Sequence, residues 1–383
     1  MAAKSFFLPR ESLFGAGCLH EMGDELKKMG LTKALLVTDN FLASSPVGKM
    51  LTDELERQEI AYYTYTGVQP NPTLSNVQGG IAAYRENGCN FLIALGGGSA
   101  NDCTKAIGIL LANGGDLHAY QGYDKSSKPS PPIIAINTTA GTASEISRAY
   151  LITDEEKQVK MIMKDRNCMA AIAVNDPEMM TDLPKSLTAS TGMDALTHAV
   201  ESYVSTKAYP LTRRLAREAA DCIIANLPKA VEEPGNIEAR EQMTYGQYMA
   251  GMSFGNGGLG LVHSMAHPLG AVFRLGHGIC NAILLPYVCR FNMQAAKDRY
   301  VELTRFLYPE AGNMSDDEAA DYFIAQLFRL SEKIGTMIPL STLGVTEADL
   351  PNLAEKALED GNRWSNPIQP TLEQVIELYR EAL

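Results

Sequence analysis

Four of the six histidines in the chain fall between positions 198 and 277, and their spacing suggests a metal site or acid–base chemistry. Asp194 and His198 are four residues apart, and so are His263 and His267. On a helix, residues at this spacing lie on one face, roughly 6 Å apart along the axis. His277 is expected in a loop between two glycines. One carboxylate and several imidazoles form a donor set that both Fe²⁺ and Zn²⁺ accept.

Each of these histidines could instead be an ordinary hydrogen-bonded core residue, and for any single histidine that interpretation is the more common one. The surrounding segments are otherwise apolar or small, so the imidazoles need polar partners. Because one carboxylate and at least three imidazoles cluster in a histidine-poor chain, a shared metal site is the better hypothesis. His20 and His118 lie outside the cluster and are interpreted as structural residues.

Two short motifs near this cluster imitate hydrolytic sites. Residues 251–255 match the Gly-x-Ser-x-Gly pattern around a nucleophilic serine, here Ser253. That motif needs a strand before the serine and a helix after it, whereas residues 242–252 have a helical pattern. The second pair of histidines has the spacing of zinc proteases, but Ser264 stands where the catalytic glutamate of that motif would be. Both hydrolase interpretations are therefore rejected.

A glycine-rich segment points to a different chemistry, the binding of phosphate. Residues 96–99, Gly-Gly-Gly-Ser, follow an apolar run and open a predicted helix. Bare backbone lets a phosphate approach closely, and the first N–H groups of a helix carry a partial positive charge. The alternative is a turn that only packs a helix against a strand. The threonine-rich loop 137–145 adds hydroxyls at the end of another strand, which favours nucleotide binding.

Asp39 follows another apolar run and could recognise the ribose of an adenine nucleotide. Its carboxylate can accept hydrogen bonds from both ribose hydroxyls, as in other dinucleotide-binding folds. No Arg or Lys lies within residues 40–48 to compensate a 2′-phosphate, so NAD is predicted over NADP. The alternative is that Asp39 caps the N-terminus of the following helix.

A parallel sheet is needed to bring the phosphate-binding and ribose-binding segments together. Short apolar runs predict strands, and the amphipathic stretches 75–87 and 100–112 predict helices between them. The predicted strands are 34–38, 91–95, 133–136 and 170–174. Buried strands that alternate with helices form parallel sheets, whose ligands bind at the carboxyl ends of the strands. Asp39, the glycines and the threonine-rich loop all fall at such ends.

After about residue 184 the pattern is helical, with no convincing strand. The predicted helices are 186–205, 211–226, 237–254, 259–271, 279–292, 316–334, 347–359 and 371–382. The sequence therefore predicts an α/β N-terminal domain with a parallel nucleotide-binding sheet over residues 1–184. An all-α C-terminal domain over residues 185–383 is expected to bind the metal and the substrate.

Composition and charge exclude several classes of protein. The 383 residues include 33 Lys and Arg against 45 Asp and Glu, a net charge of −12, so nucleic acid is not an expected partner. No apolar run reaches the roughly 20 residues that span a bilayer. The seven cysteines are widely spaced without a Cys-x-x-Cys pair, which is typical of a reducing compartment. With no secretory signal at its start, the chain is expected to be cytoplasmic and to bind no membrane.

Five longer motifs resemble the iron-containing (group III) alcohol dehydrogenases, and the resemblance covers nearly the whole chain. The motifs are 96–105 (GGGSANDCTK), 137–145 (NTTAGTASE), 192–201 (GMDALTHAVE), 258–267 (GLGLVHSMAH) and 277–281 (HGICN). The sequence is similar to the branch that contains lactaldehyde (1,2-propanediol) reductase and 1,3-propanediol dehydrogenase. The resemblance implies a dehydroquinate synthase-like architecture, with one domain for the cofactor and a helical one for the metal.

The same resemblance implies roles for individual residues. The implied ligands of one divalent metal, usually Fe²⁺ with Zn²⁺ as the alternative, are Asp194, His198, His263 and His277. The implied proton relay beside the nicotinamide is His267. The implied cofactor contacts, besides Asp39, are Asn71, Gly97, Gly98, Ser99, Thr138, Thr139, Thr142 and Lys160.

The resemblance implies an oxidoreductase that interconverts a small primary alcohol or diol and its aldehyde by hydride transfer with NAD(H). It also implies a homodimer or larger assembly. A metal- and NAD-dependent lyase of the dehydroquinate synthase type is an alternative, although only Arg274 offers a nearby positive charge for an anionic substrate. A nucleotide-binding module without catalysis is another, but it would not need the metal-ligand pattern. The sequence leaves open which alcohol or aldehyde is the substrate.

Overall fold

Parallel strands form the core of the N-terminal part of the computed structural model, which describes residues 3–157 and 159–383. The strands are β1 (Glu11–Phe14), β2 (Lys33–Val37), β3 (Ala61–Tyr65), β4 (Phe91–Gly96), β5 (Gly122–Tyr123), β6 (Ile133–Asn137), β7 (Ala149–Asp154), β8 (Val159–Lys164) and β9 (Ile172–Asn175). Within the described ranges, six strands form one sheet in the order β1-β9-β6-β4-β2-β3, with every neighbouring pair parallel. A smaller sheet has the order β5-β8-β7, in which β7 and β8 are antiparallel.

Helices flank this sheet and make up the C-terminal part of the chain. They are α1 (Met22–Lys28), α2 (Asn40–Ala43), α3 (Pro46–Arg57), α4 (Leu74–Glu86), α5 (Gly98–Asn113), α6 (Lys185–Val204), α7 (Pro210–Glu232), α8 (Ile237–Gly257), α9 (Leu261–Phe273), α10 (His277–Leu307), α11 (Asp316–Lys333), α12 (Leu350–Glu359) and α13 (Leu372–Glu381). The chain divides into two compact units. One runs to Leu183 and includes Gly235–Thr244, and the other comprises Pro184–Pro234 and Tyr245–Leu383. Among the described helices, none is both long and apolar enough to cross a bilayer.

The central strands are apolar on both faces because helices cover both sides of the sheet. Along β4, Phe91 and Ile93 pack in one cluster with Leu51 of α3. The alternate residue, Leu92, packs in the opposite cluster with Ile107 of α5. This period of two is that of a strand, and it explains why the run reads as continuously hydrophobic. The predicted fold class, a parallel sheet with helices followed by a helix-rich C-terminal part, is confirmed.

The strands that sequence patterns failed to indicate lie where burial is incomplete. The four predicted strands correspond to β2, β4, β6 and β9, each displaced by no more than two residues at either end. In contrast, β1 and β3 are the two edge strands of the main sheet, and neither contains a fully buried residue. Half-exposed strands lack the continuous apolar run that marks a buried strand, so the pattern gave no signal for them.

The predicted C-terminal helices are present as α6 to α13, with one substantial difference at α10. This helix runs from His277 to Leu307, much further than predicted, and Ala296 has non-helical dihedral angles at a kink inside it. The expectation that His277 lies in a loop is wrong. It is the first residue of α10, and Gly276 is the N-cap. Glycine is common both in loops and at helix N-caps, so its presence could not distinguish the two.

Two glycines let α6 pack closely against neighbouring helices, one of which, α10, also carries part of the histidine cluster. A β-carbon on Gly278, in the first turn of α10, would lie 2.4 Å from the carbonyl oxygen of Ser190 on α6. A β-carbon on Gly192 of α6 would lie 2.2 Å from the side chain of Leu227 on α7. The first of these obstacles is backbone, which cannot rotate away as a side chain can. The position of His277 relative to Asp194 therefore depends on the absence of a side chain at Gly278.

We expect Gly278→Ala to destabilise the helical unit. Overpacking a tight contact costs about 1–3 kcal/mol, which outweighs the gain of roughly 1 kcal/mol that alanine brings to a helix. A lower unfolding temperature in scanning calorimetry is the expected result. Gly255→Ala is the matched control, because in the described part of the chain no atom outside its immediate neighbours and the backbone of its own helix lies within 4 Å of its β-carbon position on α8. An equal or higher stability of Gly278→Ala would show that α6 and α10 can separate without cost.

Candidate active site

Three helices of the C-terminal unit bring the predicted metal ligands together. Asp194 and His198 are one turn apart on α6, His263 lies in the first turn of α9, and His277 begins α10. The first three are almost fully buried, whereas 29% of the side chain of His277 is exposed. The helical spacing that the sequence indicated places Asp194 and His198 on one face. The addition of His263 and His277 to that face is a result of tertiary packing.

The imidazoles converge on a single carboxylate oxygen. The Nε2 atoms of His198, His263 and His277 lie 3.8, 3.7 and 3.6 Å from Oδ1 of Asp194. These distances are too long for hydrogen bonds. They are close to the ~3.4 Å that separates two ligands of one tetrahedral ion when each bond is about 2.1 Å. One ligand atom from each of Asp194, His263 and His277 lies within 4.8 Å of the others, an arrangement that could hold a metal ion.

The amide of Asn281, one turn beyond His277, lies against the same three donor atoms. Its Nδ2 lies 2.6 Å from Asp194 Oδ1, 3.2 Å from His263 Nε2 and 3.1 Å from His277 Nε2. When both imidazoles are neutral with Nε2 unprotonated, three acceptor atoms face one NH₂ group, which has only two hydrogens. Its Oδ1 is buried and has no hydrogen-bond partner among the described residues. The residues therefore fit a divalent cation, because their lone pairs point to one place that a single amide cannot satisfy.

The negative charge of Asp194 and the positive charge of a protonated imidazole in this buried cluster stabilise each other. Burial opposes ionisation of Asp194, but the adjacent imidazoles, above all His198, hold the pKa of this carboxyl well below its usual range. Burial also opposes protonation of His263, but the carboxylates of Glu201 and Asp194 raise the pKa of His263 to about 9. A buried charge without a partner would be strongly destabilising. A bound cation would provide the compensation that protonated imidazoles otherwise provide.

Glu201 orients His263 from the side opposite Asp194. Its Oε2 lies 2.6 Å from Nδ1 of His263, and its Oε1 accepts a hydrogen bond from the backbone N–H of Val262 at 2.6 Å. An ionised carboxylate only accepts, so the proton of a neutral imidazole, the form that binds a metal, lies on Nδ1 and leaves the lone pair of Nε2 facing Asp194. Carboxylates in this position fix the tautomer of metal-binding histidines. Sequence reasoning missed Glu201, although it is one turn beyond His198 in the same motif.

His267 is adjacent to the cluster but has a partner of its own. Its Nδ1 lies 2.6 Å from Oδ2 of Asp360. Its ring stacks on that of His277 at a centroid distance of 5.3 Å and meets that of His263 edge-on at 6.3 Å. The structure thus places the predicted proton relay next to two predicted ligands, but its Nδ1 contacts Asp360 and not a residue of the metal-ligand set. Asp360 lies about ninety residues away in the sequence, and no local signal connected it with His267.

Ser253 has no access to a substrate. It lies inside α8, is fully buried, and its hydroxyl is within hydrogen-bonding distance of Ser202 Oγ and the carbonyl of Thr212. A nucleophilic serine requires an exposed turn between a strand and a helix. The hydroxyl instead links three helices of the unit, in agreement with the rejection of the serine hydrolase interpretation.

The predicted phosphate-binding glycines lie at the junction of β4 and α5. Gly96 has φ +147°, and Gly97 is an N-cap that provides no side-chain cap to the helix. A β-carbon on Gly97 would lie 2.7 Å from Oγ1 of Thr139, a buried hydroxyl oxygen for which the described residues provide no hydrogen-bond partner. On Gly98 it would lie 3.2 Å from Thr142. The uncapped helix N-terminus and the unpaired hydroxyl fit the binding of an anionic group. The glycines themselves do not prove such binding, because the close packing against Thr139 and Thr142 would require glycine in any case.

The two charged residues of the glycine motif point into the protein. Asp102 accepts hydrogen bonds from the Ser144 hydroxyl and from the backbone N–H of Leu151. Lys105 donates to the carbonyl oxygens of Ser144 and Ala149. Burial raises the pKa of Asp102 and lowers that of Lys105. The pair therefore anchors the threonine-rich loop and β7 to α5, which holds Thr139 and Thr142 against the glycines.

The other predicted cofactor residues follow strands of the main sheet or lie beside the smaller sheet. Asp39 follows β2 and caps α2, since its Oδ1 accepts the N–H of Leu42 at 2.8 Å. Thr138 is buried directly after β6. Asn71 has φ +57° just before Pro72, whose carbonyl accepts from the backbone N–H of Thr153. Thr153 pairs with Lys160 across β7 and β8, so the segment that follows Asn71 lies beside β7, the neighbour of the strand that carries Lys160.

Comparisons with known proteins agree with this architecture. The family model "Iron-containing alcohol dehydrogenase" matches residues 9–177, and "Fe-containing alcohol dehydrogenase family, C-terminal" matches residues 188–383. A 1,3-propanediol dehydrogenase of Citrobacter freundii is 41% identical over 98% of this chain and 98% of its own. An NAD-dependent methanol dehydrogenase of Bacillus methanolicus is 40% identical over 99% of this chain and 100% of its own.

Solved structures show the same similarity. A crystal structure of a 1,3-propanediol oxidoreductase matches with a TM-score of 0.98 and 40% identity over the whole of both chains. The resemblance carried by the five motifs is therefore confirmed. The lyase alternative is not favoured, because the similar proteins are dehydrogenases that act on alcohols or diols.

Glu201→Gln should weaken metal binding by roughly 10- to 100-fold, because partners of this kind orient the ligand and increase its basicity. Competition between the protein and a fluorescent chelator for Zn²⁺ would measure the change. Glu54→Gln is the matched control, since Glu54 is also buried and lies 2.7 Å from Nδ1 of a histidine, His20, in the N-terminal unit. Unchanged Zn²⁺ affinity in Glu201→Gln would mean that this carboxylate only accepts the backbone N–H of Val262 at the start of α9 and does not support the metal ligand.

Proposed function

Because this chain belongs to the iron-containing alcohol dehydrogenase family, we propose that it interconverts a small primary alcohol or diol and its aldehyde by reversible hydride transfer with NAD(H). Membership of the family makes the protein an oxidoreductase. The observation that carries the proposal is the convergence of three imidazoles on Asp194 beside a separate histidine–carboxylate pair. Binding of a metal and movement of a proton are thus provided by different residues.

The metal centre consists of Asp194, His198, His263 and His277, with Fe²⁺ as the proposed ion and Zn²⁺ as the alternative. When bound, the ion supplies Lewis acidity toward the alcohol or carbonyl oxygen. The protein's contribution is orientation. Glu201 fixes His263 at 2.6 Å, and the tight contact at Gly278 holds the start of α10 against α6.

NAD(H) is the proposed cofactor and supplies the hydride acceptor or donor. We assign its pyrophosphate to Gly97, Gly98 and Ser99 at the start of α5, where the first N–H groups have no side-chain cap. Further contacts are assigned to Asp39, Asn71, Thr138, Thr139, Thr142 and Lys160. Residues 1–184 are the proposed dinucleotide-binding domain and residues 185–383 the proposed metal-binding and substrate domain, with Gly235–Thr244 packing in the N-terminal unit.

His267 is the proposed proton relay. Its Nδ1 is engaged by Asp360, so Nε2 is the atom that accepts a proton when an alcohol is oxidised and returns it when an aldehyde is reduced. We further propose a homodimer or larger assembly in the cytoplasm that acts on small molecules, with neither nucleic acid nor membrane as a partner. The net charge of −12 supports the absence of a nucleic-acid partner.

Loss of one ligand should abolish activity but leave the nucleotide site intact. His277→Ala is expected to lose its metal after anaerobic loading with Fe²⁺ or Zn²⁺, measured by atomic absorption. NADH formation from a panel of primary alcohols and diols should fall to background. NADH binding, followed by fluorescence, should persist, because the glycine motif lies in the other unit. His20→Ala is the control, and a metal-free His277→Ala that retained full turnover would contradict the assignment.

Asp39 should determine the preference for NAD over NADP. A carboxylate about 4 Å from a 2′-phosphate costs on the order of 4 kcal/mol at an effective dielectric near 20, and even a quarter of that changes affinity several-fold. Asp39→Gly should relax the preference by several-fold in kcat/KM. Asp39→Asn separates charge from capping, because asparagine also caps helices. If wild type used NADPH as well as NADH, Asp39 would be only the cap of α2.

A further inference from the structure

We propose that Asp360 is a positioning residue for catalysis: its carboxylate holds His267 in a single orientation and tautomer, with Nε2 directed to the substrate. The inference deepens the proposed function, since it rests on His267 as the proton relay. Neither the motifs nor the helix pattern indicated Asp360. It follows the end of α12 and precedes the short 3-10 turn Gly361–Ser365.

The carboxylate of Asp360 is held by three donors. Oδ2 lies 2.6 Å from Nδ1 of His267. Oδ1 accepts from the backbone N–H of Asn362 at 2.8 Å and from the Ser264 hydroxyl at 3.2 Å. Only 7% of its side chain is exposed. A carboxylate anchored on its second oxygen cannot turn away from the imidazole, so the ring orientation is fixed as well.

The segment after Asp360 is itself anchored to the helix that carries His267. Oδ1 of Asn366 accepts the backbone N–H of Leu261, the first residue of α9, at 3.1 Å. Asn366 also exchanges hydrogen bonds with Asn292 of α10. The position of Asp360 is thus set from both α9 and α10. This framework explains how residues about ninety positions apart keep a distance as short as 2.6 Å.

The chemistry of the two groups determines the tautomer. Burial alone would favour a neutral carboxyl, but His267 and the other donors outweigh it and lower the pKa of Asp360 to about 2. An ionised carboxylate can only accept, so the hydrogen of a neutral His267 must lie on Nδ1. Nε2 then has the free lone pair. The same arrangement, histidine between a carboxylate and a reacting proton, governs other general bases.

The proton balance is complete with the cofactor of the proposed function. NAD⁺ would supply the hydride acceptor when an alcohol is oxidised, and the role of His267 is to take the hydroxyl proton on Nε2. The products are the aldehyde, NADH and an imidazolium whose charge Asp360 offsets. Release of that proton to solvent restores the Nδ1–H tautomer. In the reverse direction the imidazolium returns the proton from Nε2 while Nδ1 remains bonded to Asp360.

A double-mutant cycle tests whether Asp360 acts through His267. His267→Ala should lower kcat by roughly 10²-fold, and Asp360→Asn by about 10- to 100-fold with KM changed much less. If the two residues act as a unit, the double variant should be no slower than His267→Ala alone. Multiplying effects would overturn the proposal. Asp116→Asn is the control, because Asp116 makes the same contact with Nδ1 of an exposed histidine, His118.

A direct measurement on the wild-type protein removes dependence on any variant. With only six histidines, ¹⁵N-histidine labelling of the Zn²⁺-loaded protein allows the ring nitrogens of His267 to be assigned by comparison with His267→Ala. We expect the Nδ1–H tautomer, lost or mixed in Asp360→Asn. An Nε2–H tautomer in wild type would overturn the positioning role. If His267→Ala kept full turnover while the Nδ1–H tautomer was present, the proton relay would fail and Asp360 would still orient the ring.

Discussion

The carboxylate of Asp194 is buried among helices and needs positive charge, and the arrangement of the helical unit follows from that need. Ion burial is costly unless the charge is paired. Here the pairing atoms come from α6, α9 and α10, each directed at Oδ1. The helices can bring these atoms so close only where side chains are absent, as at Gly278. The close packing of the helices and the grouping of imidazoles around Asp194 therefore depend on each other.

Around this centre, two of the imidazoles, those of His263 and His267, are each oriented by a carboxylate of their own. Glu201 binds Nδ1 of His263, and Asp360 binds Nδ1 of His267, both at 2.6 Å. Both arrangements leave Nε2 as the functional atom, in one case facing Asp194 and in the other available for a proton. The different roles proposed for two histidines one helical turn apart thus rest on which group their Nε2 atoms face.

A comparable division exists in the nucleotide-binding unit. The glycine motif contains Asp102 and Lys105, whose charges would be the obvious candidates for binding phosphate. Both side chains instead form internal hydrogen bonds that hold the threonine-rich loop and β7 against α5. What remains for an anion is backbone N–H and hydroxyl groups, which bind without a strong local charge. Such a site is compatible with a protein whose net charge is −12.

Local pattern alone determined the buried strands, the helical C-terminal half and the i, i+4 pairs, because burial of one face imposes a period that is visible in the sequence. It did not show the edge strands β1 and β3, which are only partly buried, nor the start of α10 at His277. Contacts between distant positions decided the rest. Glu201, Asn281 and Asp360 acquire their roles from partners on other elements. Only the folded backbone shows that Asp39 caps α2, because the cap depends on where the N–H of Leu42 lies. A sequence records which residues can accept or donate, whereas tertiary packing decides which pairs come within hydrogen-bonding distance.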